Sequence, residues 1–356
     1  MISAGSARRR SGSPDGRSTP STPILSRRSA VAERLPVTLV TGFLGSGKTT
    51  LLSRLLRCRE LGESAVIVNE LGEVAIDHHL LRRVDERTVL LASGCVCCTL
   101  RGDLADELRD LLSRRTRGEI PPFRRVLVET TGLADPAPIL NTLLAEPVVR
   151  HHFEPGAVVA TVDAVNGLGQ LERQAETVKQ VVVADRLVVT KSDVADRTTV
   201  AGLEERLQTL NPAADLLEAS FGDVDPVALL EPGGPDPRDL ALRDGHTHGG
   251  DLRAFVLFLD RPVDWAAFGI WLTMLLQSRG QDVLRVKGLL DVGASGPVVL
   301  NGVQHLVHPP EHLETWPDDD RRSRIVFIGR GITERKLAES LAAFDAAARR
   351  PWAASE

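Results

Sequence analysis

Residues 37–50 read Val37-Thr38-Leu39-Val40-Thr41-Gly42-Phe43-Leu44-Gly45-Ser46-Gly47-Lys48-Thr49-Thr50. A short β-branched apolar run leads into G-x-x-x-x-G-K-[ST], and a helix-like segment, Thr49–Cys58, follows it. Strand, glycine loop and helix in that order make a phosphate cradle. The glycines let backbone N–H groups approach a phosphate, the lysine neutralises its outer oxygens, and the hydroxyl reaches Mg²⁺. The sequence therefore predicts Gly42, Gly45, Ser46, Gly47, Lys48, Thr49 and Thr50 as nucleotide-binding residues. Lys48 and Thr49 are also predicted to act in catalysis.

The same signature of continuous apolar character repeats outward from this stretch. Runs at 65–69, 88–92, 125–129, 157–162, 186–190 and 215–218 alternate with helix-like segments such as 100–116 and 200–210. Strands without polar alternation are buried on both faces, so the pattern predicts a doubly wound, mostly parallel α/β domain over residues 36–225. Residues 226–251 are rich in Gly, Pro and Asp and read as a linker. A smaller α+β domain is predicted over 252–347, with strands near 252–259, 283–289, 298–300, 304–307 and 324–328. Its helices lie near 265–275 and 333–346, and the aromatic stripe Trp265, Phe268, Trp271 reads as core. Residues 1–35 are Arg-, Ser- and Pro-rich and read as a disordered tail, with 348–356 a short terminal one.

Composition narrows the function further. The chain has 356 residues, 42% hydrophobic and 26% charged, with a net charge of −5. That charge divides into +5 over residues 1–34 and −10 over the remainder. An acidic body argues against nucleic acid as a partner. No run of 18 apolar residues exists to span a membrane. Three of the four cysteines (58, 95, 97 and 98) fall within four residues, which excludes a disulfide scaffold and suits a reducing, cytoplasmic compartment.

Three further motifs close predicted strands. Thr190-Lys191-Ser192-Asp193 supplies what a guanine reader needs: the Asp193 carboxylate accepts from the ring N–H and the exocyclic amine, and the Lys191 stem covers the base. Thr190 stands where such loops usually carry a bracing Asn, and Ser220 in the next loop is placed to support the base edge. Glu129-Thr130-Thr131-Gly132 puts a carboxylate where Mg²⁺ is reached through water and a glycine where a γ-phosphate is sensed. Asn69-Glu70-Leu71-Gly72-Glu73 is the other acidic loop, and Glu70, Glu73 or Asp77 would orient the attacking water.

Gly94-Cys95-Val96-Cys97-Cys98 follows the strand at 88–92. Thiolates suit Zn²⁺, and also Co²⁺ or Fe²⁺. Cys95, Cys97 and Cys98 offer fewer than four ligands, leaving room for a carboxylate such as Glu70, a histidine or a partner's ligand, as a transferable metal would require. A vicinal Cys97–Cys98 disulfide with a redox role stays open, as does a structural site. Cys58 reads as a small buried apolar residue, and His246-Thr247-His248 in the linker as a weak metal hand-off point.

Taken together, Gly42–Thr50, Asn69–Glu73, Gly94–Cys98, Glu129–Pro136, Thr190–Asp193 and the stretch Arg321–Gly329 resemble the CobW-type metal-chaperone GTPases. In that family a G domain is fused to a smaller CobW C-terminal domain, and the likeness covers about residues 36–346. It implies slow GTP hydrolysis with Mg²⁺, metal held at the Cys-x-Cys-Cys loop, and delivery to a client metalloprotein. A homodimer is compatible with it. The segments 280–288 and 303–317 look closest to members associated with nitrile hydratase activation or cobalamin synthesis. The Arg-rich tail and the short histidine loop depart from the family pattern. Two other readings remain: an ATP-dependent small-molecule kinase, and a non-catalytic partner-binding protein with structural or redox cysteines.

Overall fold

The computed structural model describes residues 34–58, 61–69, 89–93, 102–230 and 251–348. Seven strands form one wholly parallel sheet: β1 (Leu35–Gly42), β2 (Ser64–Asn69), β3 (Val89–Ser93), β4 (Arg125–Glu129), β5 (Phe153–Asp163), β6 (Arg186–Thr190) and β7 (Asp215–Ala219). Their order in space is β3-β2-β4-β1-β5-β6-β7. The first strand is thus central, with later strands laid to either side, so a crevice opens at its carboxyl end. Every run singled out in the sequence forms one of these strands. Continuous apolarity follows from burial: all of β6 and seven of the eight residues of β1 are buried.

Helices cover both faces. The first, α1 (Lys48–Leu55), packs Leu51 and Leu55 on Val40, Val159 and Val188. On another face α2 (Gly102–Thr116) and α3 (Pro136–Ala145) bury Leu108, Leu111, Ile139 and Leu140 against Leu39, Val126 and Val128. The short α4 (Pro147–His152) leads into β5, then α5 (Gly167–Arg173), α6 (Ala175–Val183) and α7 (Arg197–Leu210) complete the layer. The predicted linker starts later than its composition suggests. Residues Pro226–Leu230 form a helical turn, α8, whose Leu229 is fully buried in the α1 core.

The second sheet is antiparallel, in the order β11-β10-β9-β13-β8, with β12 paired to β10. Its strands are β8 (Leu252–Leu259), β9 (Val283–Leu290), β10 (Val298–Val303), β11 (Leu306–Val307), β12 (Glu311–His312) and β13 (Ser323–Arg330). Alternation along β13 assigns the two faces. Ile325 and Phe327 meet α9 (Trp265–Arg279) and α10 (Glu334–Ala348), while Val326 and Ile328 face the first domain. Phe268 and Trp271 are core as expected, but Trp265 is 39% exposed. It sits on the first turn of α9, where it only stacks on Phe268.

The inner face joins the two domains. Val182 and Ala213 pack on Leu284, Val326 and Ile328. Burial of the valine, leucine and isoleucine side chains contributes about 1.5–3 kcal/mol each to holding the two sheets together. At the same seam the buried Arg285 guanidinium is ion-paired with Asp185, Lys287 lies 3.7 Å from that carboxylate, and Asp185 accepts from Val158 N–H at 2.9 Å. Burial opposes the Asp185 charge, yet the two cations and that N–H hold its carboxyl below the ordinary carboxylate range.

His308 lies beside this pair. Burial, reinforced by the Arg285 charge against the opposing pull of Asp185, pushes its pKa down to about 4. The unfolded imidazole, near 6.5, takes up a proton that the folded one refuses. Stability is therefore expected to fall as pH drops from about 6.5 toward 4, by roughly 1–3 kcal/mol for this half-buried group. Urea midpoints between pH 7 and 4.5 check this: His308→Gln should flatten that part of the slope, and an unchanged slope would refute the assignment.

Candidate functional site

The glycine loop leaves the central strand between β4 and β5. A Cβ on Gly42, at φ 137°, would meet Thr161 O and Oγ1 at 2.4 Å, so only glycine lets the chain turn there. Gly47 caps α1, and the Ser46 and Thr161 hydroxyls bond at 2.6 Å, fixing the loop to β5. Lys48 is 8% exposed, and its ammonium donates to the carbonyls of Gly42 (3.0 Å) and Phe43 (3.1 Å). The charge is thus already held across the mouth of the loop. Gly45 has open space around it, and Thr50 faces the loop after β7 through its carbonyl.

Glu129 ends β4 in register with Val40, one strand from the loop. Its carboxylate accepts from the Thr49 hydroxyl at 2.6 Å and is 5% exposed. A hydroxyl and a buried carboxylate converging at a phosphate cradle are the hard-oxygen donors that Mg²⁺ takes, so these residues fit the ion. The predicted pair is therefore brought together from 80 positions apart. The segment after Glu129 is anchored as well. Thr130 N–H donates to Val40 O at 2.9 Å, and its hydroxyl to Thr41 Oγ1 at 3.0 Å. Gly132 lies so close to the loop that a Cβ would stand 2.6 Å from Leu44 N, and no other residue fits.

The base-side motif lies two strands over, at the end of β6. Replacement of the usual Asn by Thr190 predicts a lost brace, but the structure keeps one. The Thr190 hydroxyl donates to Ser46 O at 2.7 Å, tying this strand directly to the glycine loop. Lys191, at φ 58°, donates to Asp163 at 2.7 Å. Burial of Asp163 opposes its ionisation, but that lysine, the Asn166 amide and the Val165 N–H hold its pKa below the ordinary value. Asp193 is exposed in the turn that follows and takes no hydrogen bond from the described residues. Ser220 is exposed and bridges to Asp223 in a turn packed on α1.

Asp163, Phe221 and Gln180 do not stand out in the sequence. Asp163 orients Lys191, Phe221 is a 69% exposed ring at φ 53° beside Ser220, and Gln180 is a buried amide on α6 bonded to the Gly132 segment. A polar residue ending a strand beside the glycine loop is the only signal for the first. The others carry none.

Glu70, Glu73, Asp77, Cys95, Cys97, Cys98, His246 and His248 lie outside the described residues. The strands that deliver two of those loops do not. Asn69 and Ser93 are register partners at the carboxyl ends of β2 and β3, and Val68 pairs with Glu129. Cys58 differs from its predicted burial: it follows α1 and is only half-buried, its sulfur 3.6 Å from Arg54 O. Among the described residues no cluster of three or more His, Cys, Asp or Glu could hold a metal ion. Nor is any helix among them long and apolar enough to cross a membrane.

Residues 36–218 match the family described as CobW/HypB/UreG, nucleotide-binding domain. The chain belongs to the CobW/HypB/UreG family. Residues 252–345 match the Cobalamin synthesis protein cobW C-terminal domain, which accounts for the second sheet. Among relatives of this CobW/HypB/UreG chain, the zinc chaperone YjiA of Escherichia coli is 34% identical over 318 residues, covering 86% of this chain and 98% of its own. A zinc-regulated GTPase metalloprotein activator 1 of Dictyostelium discoideum is 26% identical, covering 86% and 79%. The solved structure of Zn(II)-bound YjiA GTPase from E. coli superposes with a TM-score of 0.66 at 30% identity, covering 88% of this chain and 99% of that one.

Proposed function

We propose that this protein hydrolyses GTP and carries zinc to a client metalloprotein, with the nucleotide gating its hold on the metal. The observation that carries the reading is one sheet edge. The Thr49–Glu129 pair, the Lys48 cradle and the exposed Asp193 line it, and the register pair Asn69–Ser93 ends on it two and three strands from β1. The relatives' names, a zinc chaperone and a zinc-regulated GTPase metalloprotein activator, support zinc as cargo over cobalt or iron.

The residues divide the work. Asp193 reads the guanine edge and Lys191, oriented by Asp163, covers the base. Lys48 and the backbone of Gly45–Thr50 take the β- and γ-phosphate charge, which grows in the transition state. Thr49 and Glu129 would hold Mg²⁺, which would supply positive charge against the phosphate oxygens. Glu70, Glu73 or Asp77 positions the hydrolytic water, and Cys95, Cys97 and Cys98 with Glu70 form the cargo site. GTP bound against residues 129–133 tightens that site, and hydrolysis releases the metal. By reciprocity, zinc tightens GTP by the same factor.

The test is zinc affinity, by competition with a chromophoric chelator, in the presence of GDP or a non-hydrolysable GTP analogue. The analogue is expected to tighten zinc about tenfold, a coupling of about 1.4 kcal/mol. Cys95→Ala/Cys97→Ala should abolish the effect while the protein stays folded and hydrolytic. Equal zinc affinities with both nucleotides would sink the gating.

A further inference from the structure

We infer that Gln180 is a positioning residue for the hydrolytic reaction, tying the segment that follows Glu129 to the C-terminal sheet. Gln180 sits mid-way along α6, 1% exposed. Its amide Nε2 donates to Gly132 O at 3.2 Å and to Ala134 O at 3.0 Å. Both neighbours are acceptors, so the amide can face them only with its nitrogen. The preceding residue reaches the same segment, with Lys179 Nζ 3.2 Å from Asp135. Asp135 in turn caps α3 by accepting from Ala137 N–H at 3.0 Å. One helix thus grips the segment at three successive points, residues 132, 134 and 135.

The other end of the grip is equally fixed. Asn211, also 1% exposed, donates its amide to the carbonyls of Val181 (2.7 Å), Val182 (3.1 Å) and Ala184 (2.9 Å), satisfying the final turn of α6. Val182 then packs on Leu284, Val326 and Ile328 of the second sheet. At the front, Gly132 sits where a Cβ would stand 2.6 Å from the Leu44 backbone. A shift of Gly132 on phosphate binding would strain its bond from Gln180 and load α6 against the sheet behind it.

The amide also has a vacant acceptor. Gln180 Oε1 is buried with no hydrogen-bond partner among the described residues, while Nε2 serves two carbonyls. A segment N–H that arrived at Oε1 would satisfy the residue more fully, so the side chain can hold the segment in a second arrangement as well as in this one.

This inference rests on the reading of residues 129–133 as the phosphate-sensing segment, and the experiment separates the two. Using the full chain, GTP turnover and the affinities for GDP and a non-hydrolysable GTP analogue are measured for wild type, Gln180→Leu and Lys179→Ala. Gln180→Leu should lower kcat and raise KM for GTP about tenfold each, because KM follows GTP affinity when chemistry is slow. It should also cut the analogue-over-GDP affinity ratio about tenfold while GDP affinity holds. Lys179→Ala, at a one-third exposed position that folding tolerates, should cut the ratio about threefold. A merely structural role would weaken both nucleotides together and leave the ratio alone. An unchanged ratio in folded Gln180→Leu overturns the inference. Should that variant not fold, an unchanged ratio in Lys179→Ala does so. A wild type that neither hydrolyses GTP nor distinguishes it from GDP removes the functional reading itself.

Discussion

Lys48→Ala is expected to lower GTP turnover by about 10²- to 10³-fold, the usual loss when one preorganised group that stabilises transition-state charge is removed. The ammonium already lies within 3.0–3.1 Å of the loop carbonyls that flank the phosphate position, so little reorganisation precedes its action. Charge on the β–γ bridge and γ oxygens rises during bond cleavage, so the loss should fall more on kcat than on KM. GDP binding should weaken less than turnover, because the backbone cradle at Gly45–Thr50 is retained. Steady-state phosphate release with a matched thermal melt is the measurement. A folded variant turning over within about threefold of wild type would remove Lys48 from the chemistry.

The second large effect concerns stability. Asp185→Ala leaves the buried Arg285 guanidinium without the carboxylate it pairs with and exposes Lys287 to an uncompensated like charge. Removing one partner of a buried pair costs about 3–5 kcal/mol, whereas the intact pair is near neutral against an apolar substitute. At about 2 °C per kcal/mol for a chain of this size, Tm should fall by roughly 6–10 °C. The folded pKa of Asp185 is depressed, so its contribution is full above the unfolded carboxyl pKa and is lost as pH falls through the lower folded value. A double replacement, Asp185→Leu/Arg285→Met, should recover much of the loss. If the single variant melts within about 1 °C of wild type, the pair does not hold the seam.

What the sequence revealed and what it hid have a common cause. Strand identity was legible because burial on both faces writes unbroken apolar runs such as Arg186–Thr190. The glycine loop and the approach of Glu129 to Thr49 were legible because the motif fixes residue types at strand ends. Partnerships across the fold left no trace: Lys191 with Asp163 spans 28 positions, Gln180 with Gly132 spans 48, and Arg285 with Asp185 spans 100. Local spacing carries no record of a contact that only tertiary packing creates. Helix α6 was obscured for another reason. Its Val181-Val182-Val183 end is β-branched, and packing on the second sheet outweighs that propensity. The bracing role of Thr190 was misjudged because a hydroxyl on the right strand reaches the carbonyl as well as an amide would.

The strand order also acts as a ruler. β3 stands three places from β1, and neighbouring strands are about 4.8 Å apart, so their carboxyl ends are separated by roughly 14 Å. Unit charges at that distance interact by about 1 kcal/mol at an effective dielectric of about 20. At low salt, a divalent cargo held beyond β3 and a triphosphate over β1 would therefore attract one another through space. Splitting off phosphate would then loosen the cargo by weakening a field. Because the Debye length at physiological salt is about 8 Å, added salt should erode that part of the grip while leaving contact-borne coupling intact.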